Sequence, residues 1–422
     1  MRRLNCIPGG SLWMLVLATA CLVVLALPSP GLCGEKGPIK IGFLAPQTGN
    51  FAQLGLDMVD GIKMYLQEIN YTVAGRKIEL IVDDEGDNPS TAVSKARKLI
   101  TQDNVHLASG IFMTSAAYAV APVFDTARVP LMIAVSAGDD ITQRKRLKYV
   151  SRLAPTGGEI GHAAGDYAYK KLGWRKAVIL GFDYAWGYEN AGGFQRVFED
   201  LGGQVIQKTY APVATADFGP YIANLKRDAD GIFDVVTGAA SVRLLQGLRA
   251  SGLMDKWKVL IPGTGTDEAI LPAIGDAGLG VISFYHYSGA IKNPENEKFS
   301  ADIRRLYKKD PSLGSALSYT AGQWLVKAIQ AVNGDVENKE KLLQAIESVE
   351  LEKSLRGPMK MDRYGHAVQT MFVRRVDKVG SGYQNTVIDT YPMFGQFYTY
   401  KPEEFLKTPV YSRDYPPCKN CQ

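Results

Sequence analysis

An alternation of apolar strands with amphipathic helices, beginning at Ile39, restricts the fold more than any other feature of the sequence. The segment IKIGFL (39–44) predicts a buried strand, and the residues after it, to about Asn70, predict a helix. Further strand-like segments follow, each separated from the next by a helical one: KIELIVDDEG (77–86), VHLASGIF (105–112) and VPLMIAVSAG (129–138). Continuously apolar strands that alternate with helices are typical of a parallel sheet covered on both faces. We therefore predict an α/β fold.

The same order of elements starts again at residue 175, where segment 175–206 predicts strand, turn, helix and strand. After Ser288 the sequence becomes helical, and one long strand-like segment follows at 366–378. This order predicts two Rossmann-like, doubly wound lobes joined by three crossovers, with a cleft between them. The predicted boundaries are 38–155 with 285–365 for lobe 1, 156–284 with 366–400 for lobe 2, and 401–422 for a C-terminal tail.

Residues 1–34 have the features of a secretory signal peptide. Arg2 and Arg3 precede an apolar segment, Leu12 to Leu27, and Pro, Gly and Ser residues follow it. A membrane anchor is the alternative, but this apolar segment is short for a membrane span. We predict export to the periplasm and cleavage of residues 1–34.

The net charge argues against nucleic acid as a partner. The formal charge of +5 becomes +3 without Arg2 and Arg3, because residues 1–34 contain no Asp or Glu. So small a charge on a chain of 422 residues does not supply the basic surface that binds a phosphate backbone. The basic run at 144–148 lies between two apolar segments and fits a solvated loop.

The cysteines divide between the two ends of the chain. Cys6 and Cys21 lie in the predicted leader and Cys33 lies near its end, whereas Cys418 and Cys421 lie in the C-terminal tail. In an oxidising compartment, the pair in the tail predicts a small disulfide loop, and not a metal or redox site. A lipid anchor is the alternative for the leader, although the residues before Cys21 and Cys33 match the required pattern poorly.

The sequence contains no recognisable catalytic or cofactor-binding arrangement. The turn after the first strand, APQTGNFAQLG (45–55), lacks the Lys of a phosphate-binding P-loop and the G-x-G-x-x-G of a dinucleotide site. The four histidines are scattered without metal-ligand spacing, and the acidic run VDDEGD (82–87) fits a solvated strand end better than a magnesium site. We predict a protein that is not an enzyme and that has no metal or cofactor.

Hydroxyl-bearing and small residues follow several predicted strands, and aromatic residues occupy the turns that open each lobe. Ligands of open α/β sheets bind outside the carboxyl ends of the strands, so these residues converge on one site in the predicted fold. The predicted ligand-binding residues are Phe51, Thr114, Ser115, Ser136, Ala137, Tyr184, Trp186 and Thr264.

The chain resembles the periplasmic solute-binding proteins of the branched-chain amino-acid (Leu/Ile/Val-binding) family. The resemblance is carried by IKIGFLAPQTGNFAQLG (39–55), LGFDYAWGYENAGGF (180–194) and LRGPMKMDRYGHAVQTMFVRRV (355–376), and it extends from about Pro38 to Tyr400. It implies the periplasmic binding protein type I fold, an ABC permease as the partner, and a chain that acts as a monomer. The main alternative is a ligand-sensing receptor domain of the same fold.

The resemblance also implies how a small carboxylate ligand is held. Ser115 or Thr114 matches the family's carboxylate-binding hydroxyl, Ser136 and Ala137 match the turn after the fourth strand, and Trp186 matches an aromatic beside the ligand. Thr264 stands where amino-acid binders have the acid that holds the ammonium group. An aromatic acid is therefore the favoured ligand, and a branched-chain amino acid is the alternative if Asp267 supplies the missing acid.

Overall fold

The computed structural model describes residues 36–421. The predicted signal peptide, with Cys6, Cys21 and Cys33, lies outside the described residues. Between residues 36 and 421, no helix is both long and apolar enough to cross a membrane.

The first sheet has six strands in the order β2-β3-β1-β4-β5-β6. Its strands are β1 (Ile39–Ala45), β2 (Thr72–Val73), β3 (Arg76–Asp84), β4 (Leu107–Gly110), β5 (Leu131–Ile133) and β6 (Val150–Arg152). Neighbouring strands are parallel except in the β2–β3 hairpin. The helices that alternate with them are α1 (Ala52–Glu68), α2 (Pro89–Thr101) and α3 (Thr114–Thr126), and short 3₁₀ turns lie at Gly49–Phe51 and Asp139–Thr142.

The second sheet has nine strands, and its core order is β8-β7-β9-β10-β11-β14. Its strands are β7 (Lys176–Phe182), β8 (Gln204–Ala211), β9 (Gly231–Val235), β10 (Lys258–Pro262), β11 (Ile282–Tyr285), β12 (Glu350–Leu351), β13 (Met359–Met361), β14 (Ala367–Val379) and β15 (Gly382–Phe394). Strands β7 to β11 pair in parallel, whereas β14 is antiparallel to β11, β13 and β15.

The remaining helices of the described chain all follow β6. They are α4 (Gly157–Lys170), α5 (Ala185–Asp200), α6 (Gly219–Ala223), α7 (Ala239–Ala250), α8 (Leu271–Ile274), α9 (Pro294–Tyr307), α10 (Leu313–Ala331), α11 (Lys339–Ser348) and α12 (Pro402–Phe405). Further 3₁₀ turns lie at Leu253–Asp255, Gly263–Thr266 and Gly275–Gly278.

The helical segment after β11 packs against helix α1. Helices α1 and α10 approach so closely that a Cβ on Gly61 would lie 2.1 Å from the carbonyl oxygen of Ser315. The chain then gives β12 and β13 to the second sheet, although both fall in the segment predicted as lobe 1, 285–365. The exact lobe boundaries stay a prediction.

A buried ion cluster lies where the connections between the two sheets meet. Glu159, in the first turn of α4, accepts hydrogen bonds from His286 Nε2 (3.0 Å), directly after β11, and from His366 Nε2 (2.8 Å), directly before β14. All three side chains are fully buried. Burial alone would raise the pKa of Glu159, but His366 and His286 outweigh it and lower that pKa to about 2. The cluster therefore joins crossover segments that are far apart in sequence.

Candidate functional site

A small cavity lies between the lobes at the carboxyl ends of the parallel strands, and the space in it that a water molecule can enter is about 20 Å³. Residues after β4 and β5 form one wall, and residues at the ends of β7, β9, β10 and β11 form the other. The lining residues are Phe112, Thr114, Val135, Ala137, Tyr184, Trp186, Thr237, Thr264 and Tyr285. This is room for about one water molecule, so a ligand can enter only if the two walls move apart.

Five of the eight residues predicted to bind ligand line this cavity, namely Thr114, Ala137, Tyr184, Trp186 and Thr264. Ser115 does not line it and is half-buried on the first turn of α3. The role of all eight residues in ligand binding stays a prediction. Sequence reasoning missed Phe112, Val135, Thr237 and Tyr285. Phe112 and Val135 lie in the last residues of the predicted strands 105–112 and 129–138, where a search of every strand end would have found them.

Phe51 lies beside the cavity and reaches from one lobe to the other. Its ring centroid is 5.1 Å from that of Phe112 in the same lobe. On the opposite side, a Cβ placed on Gly238 would lie 3.8 Å from a carbon of the Phe51 ring. Gly238 follows β9 and has a φ of 66°, a conformation that favours glycine. The cleft is therefore closed over the cavity in this structure.

Three buried polar atoms at the site have no hydrogen-bond partner among residues 36–421: Ser136 Oγ, Trp186 Nε1 and Thr264 Oγ1. Their residues are at most 7% exposed. Ser136 does not line the cavity itself, but it lies between two residues that do. Buried polar atoms are normally paired, so a cluster of unpaired ones marks a place where a ligand supplies the partners. An indole N–H is a hydrogen-bond donor, and a hydroxyl can act as a donor too. The three atoms together therefore favour a ligand with several hydrogen-bond acceptor atoms.

Thr237 differs from Thr264 although both line the same wall. Thr237 Oγ1 donates a hydrogen bond of 2.9 Å to the carbonyl oxygen of Thr264. This bond uses the hydroxyl proton of Thr237 and fixes the turn that carries Thr264.

Glu85 holds the turn that carries Phe112. Its two carboxylate oxygens accept hydrogen bonds of 2.8 Å from the amides of Phe112 and Met113. Burial raises the pKa of Glu85 to about 8, although the two amides favour the ionised form. The interpretation of the acidic run as a solvated strand end is wrong for Glu85, which is fully buried.

Asp84, in the same acidic run, is also structural. Asp84 accepts hydrogen bonds from the amides of Gln47 (2.7 Å) and Gly86 (2.9 Å), and it fixes the first turn of lobe 1. Within the described part of the chain, no group of three or more His, Cys, Asp or Glu residues is placed to hold a metal ion.

Two buried arginines support the backbone on the two sides of the cavity. Arg152 donates to the carbonyl oxygens of Ala137 and Gly138, after β5. Arg374 donates to the carbonyl oxygen of Gly263, beside Thr264, at 2.9 Å. Each arginine therefore positions a loop that borders the cavity without lining it.

The nine lining residues include no charged side chain. Asp267, which could have served as the ammonium-binding acid, is fully buried and does not line the cavity. Its oxygens accept hydrogen bonds from the amides of Ala269 (2.9 Å) and Leu313 (2.8 Å). Burial and the neighbouring Glu268 raise the pKa of Asp267 to about 8. Asp267 therefore connects the turn after β10 to the start of α10.

The predicted pair in the tail, Cys418 and Cys421, forms a disulfide. The tail is held on lobe 2 by Gln195 Nε2, which donates to the carbonyl oxygen of Pro417 (2.9 Å), and by Lys208 Nζ, which donates to that of Pro416 (2.7 Å). Neither cysteine lines the cavity.

Known proteins share this architecture over most of their length. A family model described as periplasmic binding protein matches residues 38–382. Leu/Ile/Val-binding protein homolog 6 of Brucella suis is 28% identical over 391 residues, which cover 90% of this chain and 97% of that protein. An ABC transporter substrate-binding protein from Sphaerobacter thermophilus has a TM-score of 0.81 and 32% identity, over 85% of this chain and 99% of its own.

A solute-binding protein of an ABC transporter from Rhodopseudomonas palustris BisB5 was solved in complex with 3,4-dihydroxybenzoic acid. It has a TM-score of 0.81 and 28% identity, over 86% of this chain and 99% of its own. These similarities confirm the predicted α/β fold of two lobes.

Proposed function

We propose that this chain, which belongs to the periplasmic binding protein family, captures a small aromatic carboxylate between its lobes and delivers it to an ABC importer. The protein acts by binding and closure, without a chemical step. The curated relative named as a Leu/Ile/Val-binding protein homolog and the substrate-binding protein of S. thermophilus support this class of function.

The observation that carries the ligand class is the composition of the cavity. Phe112, Tyr184, Trp186 and Tyr285 provide flat apolar surfaces, against which an aromatic ring can stack or pack edge to face. An α-ammonium group would need an acid here, because a buried unpaired charge is strongly unfavourable. No lining residue is an acid, and Asp267 is used elsewhere. The cavity therefore favours a carboxylate without an ammonium group.

The unpaired donors fit the same ligand. Trp186 Nε1 and the hydroxyls of Ser136 and Thr264 can donate to carboxylate or phenolic oxygens. The R. palustris protein, which was solved with a dihydroxybenzoic acid, supports this assignment by its similar fold.

In this proposal, ligand binding shifts the population of lobe arrangements toward the closed one. Closure brings Phe51 to Gly238 and surrounds the ligand with groups from both lobes. A ligand that touches both walls stabilises the closed arrangement over the open one, which it touches on one side only. An ABC permease would recognise the closed form.

The test is calorimetric titration with benzoate and cinnamate beside leucine and valine. We expect binding of at least one aromatic acid and a higher melting temperature in its presence, because the ligand binds only the native state. Leucine should give no response. Tight binding of leucine with no response to either aromatic acid would overturn the aromatic assignment and favour the branched-chain amino acids.

We also propose that the chain is exported to the periplasm, loses residues 1–34 and works as a monomer. N-terminal sequencing of the protein from its native host should give a start near Glu35. A chain that still begins at Met1 would contradict export with cleavage.

A further inference from the structure

Among residues 36–421, three arginines have fully buried side chains, and they differ in how they are paired. Arg152 donates to two carbonyl oxygens and to Thr142 Oγ1. Arg374 donates to Ser283 Oγ (3.1 Å) and to the carbonyl oxygens of Tyr287 (2.8 Å) and Gly263 (2.9 Å). Arg356 has no such set of oxygen acceptors.

The Arg356 side chain is 1% exposed, and its Nε and Nη1 have no hydrogen-bond partner in the described chain. Its Nη2 contacts only a thioether, Met359 Sδ, at 3.8 Å. The structure shows no ion pair between Arg356 and an acid of residues 36–421. A buried charge without a partner destabilises a protein, so retaining one needs a functional reason.

The strand register places Arg356 next to a residue that lines the cavity. Strand β11 ends at Tyr285, opposite Phe372 of β14. Strand β13 begins at Met359, opposite Gln369, three residues away along the same edge of β14. Both strands run antiparallel to β14, so the turn before Met359 meets the end of β11. Arg356 lies in that turn.

The electrostatics of the two side chains agree with this placement. Burial lowers the pKa of Arg356 to about 9, and the nearby Tyr285 acts in the opposite direction. Arg356 is therefore charged at neutral pH. Burial raises the pKa of Tyr285, and the positive charge of Arg356 opposes this rise more than any other neighbouring group does.

We propose that Arg356 is the buried positive charge that makes the cleft select anions, acting through Tyr285 as a positioning residue for the ligand carboxylate. The inference rests on the proposed function and adds a source of charge that the cavity lining lacks. Arg356 differs from Arg152 and Arg374, whose N–H groups are used by backbone carbonyl oxygens. A carboxylate that leaves water loses its solvation, and no lining residue has a charge to compensate. Arg356 supplies this compensation from behind the wall, and Tyr285 separates it from the ligand.

The experiment compares benzoate with benzamide, which has the same ring and nearly the same size but no charge. The wild type should bind benzoate more tightly than benzamide. In Arg356→Met the Kd for benzoate should rise roughly 10- to 50-fold, as expected for a charge several ångströms away at an effective dielectric constant near 20. The Kd for benzamide should change less than about 3-fold, within the scatter expected for a neutral ligand.

Stability separates this role from a structural one. Arg356→Met should have an unchanged or higher melting temperature without ligand, because it removes an unpaired buried charge. Arg356→Lys keeps a positive charge and should restore part of the preference for benzoate. A lower melting temperature with an unchanged benzoate-to-benzamide ratio would overturn the proposal.

Tyr285→Phe tests the connection between the two residues and also serves if Arg356→Met fails to fold. Tyr285→Phe should reduce the preference for benzoate over benzamide. Arg356→Met should then reduce this preference less in the Tyr285→Phe background than it does in the wild type. Full preference for benzoate in Tyr285→Phe would overturn the proposal.

The proposed function can fail separately. If the wild type binds leucine and not benzoate, the aromatic assignment fails, and leucine against leucinamide measures the same charge preference. If Arg356→Met then raised the Kd for leucine and the Kd for leucinamide equally, the role of Arg356 would be overturned. A wild type that binds none of these probes would overturn both proposals.

Discussion

The cleft and the buried ion cluster of Glu159, His286 and His366, here called the hinge, are both polar and built from distant parts of the chain. They differ in how completely their polar atoms are paired. At the hinge, Glu159 pairs with His286 and His366. The second ring nitrogen of His286 lies 2.7 Å from the carbonyl oxygen of Thr370, and that of His366 accepts from Arg152 Nε at 3.3 Å. In the cleft, Ser136 Oγ, Trp186 Nε1 and Thr264 Oγ1 have no partner within residues 36–421.

The difference separates residues that stabilise the fold from residues that await a ligand. A complete set of partners loses stability when one member is removed, because the other groups remain buried and unpaired. Where a polar group has no partner, as in the cleft, removing it costs the protein little stability. The ligand, however, loses a hydrogen-bond partner. Substitutions at the hinge should therefore change the free energy of unfolding, and substitutions in the cleft should change affinity.

The largest effect is expected for Glu159→Ala. Removing this carboxylate leaves His286 and His366 buried without the acid that accepts their hydrogen bonds, so the free energy of unfolding should fall by about 3–5 kcal/mol. Urea unfolding measures this change. Glu297→Ala is the control, since Glu297 lies in the first turn of α9 but is exposed, and its change should stay within about 0.5 kcal/mol. A loss below about 1 kcal/mol in Glu159→Ala would contradict the role of the hinge cluster.

The second expected effect is the acid sensitivity of the hinge. The folded pKa of Glu159, about 2, is below its unfolded value of 4.5. The stability from this shift is therefore fully present above about pH 4.5 and is lost as the pH falls through about 2. We expect a loss of about 3 kcal/mol in the wild type that Glu159→Gln does not show. Unfolding curves between pH 7 and pH 2 measure it, and parallel curves for the two proteins would rule it out.

A smaller effect is expected for two threonines that lie in the same wall of the cavity. Thr264→Val removes an unpaired hydroxyl, so stability should hold while the Kd for benzoate rises about 5- to 30-fold. Thr237→Val removes a hydroxyl that donates to Thr264, so the free energy of unfolding should fall by about 1 kcal/mol. Calorimetry and urea unfolding on both variants distinguish them. If Thr264→Val lost stability and kept its affinity, the comparison between cleft and hinge would fail.

The smallest effect is expected in the C-terminal tail. Replacing Cys418 and Cys421 with Ser should leave the Kd for benzoate unchanged within about 2-fold, because neither residue lines the cavity. The loop closed by the disulfide is short, with a sequence separation of 3, so its effect on unfolding is also small. A change in Kd above 10-fold would show that the tail contributes to the site.

Features that depend on local sequence could be predicted, and features that depend on long-range pairing could not. The strand at 39–45 and the helix after it follow from hydrophobic periodicity, and five cavity residues follow from the rule that ligands bind at strand ends. The contact between Glu159 and His366 joins positions 207 residues apart, and no local pattern indicates it. The local contact of Glu159 is a helix cap, since it also accepts a hydrogen bond from the Thr156 amide.

The same limit explains the acidic run and Arg356. Glu85 sits in a run of acids that suggests solvent, but its burial depends on the amides of Phe112 and Met113, more than 25 residues away. Arg356 is unremarkable in sequence, since a surface arginine looks the same as a buried one. Only the meeting of β11 and β13 along β14 reveals its position.

The contact between Phe51 and Gly238 has a kinetic consequence. If the ligand leaves only when this contact opens, its dissociation rate cannot exceed the rate at which the lobes separate. The time that a ligand stays bound is then set by the hinge as well as by the cavity. Because Gly238 has a φ of 66°, Gly238→Val should strain the turn that faces Phe51 and so shorten that residence time.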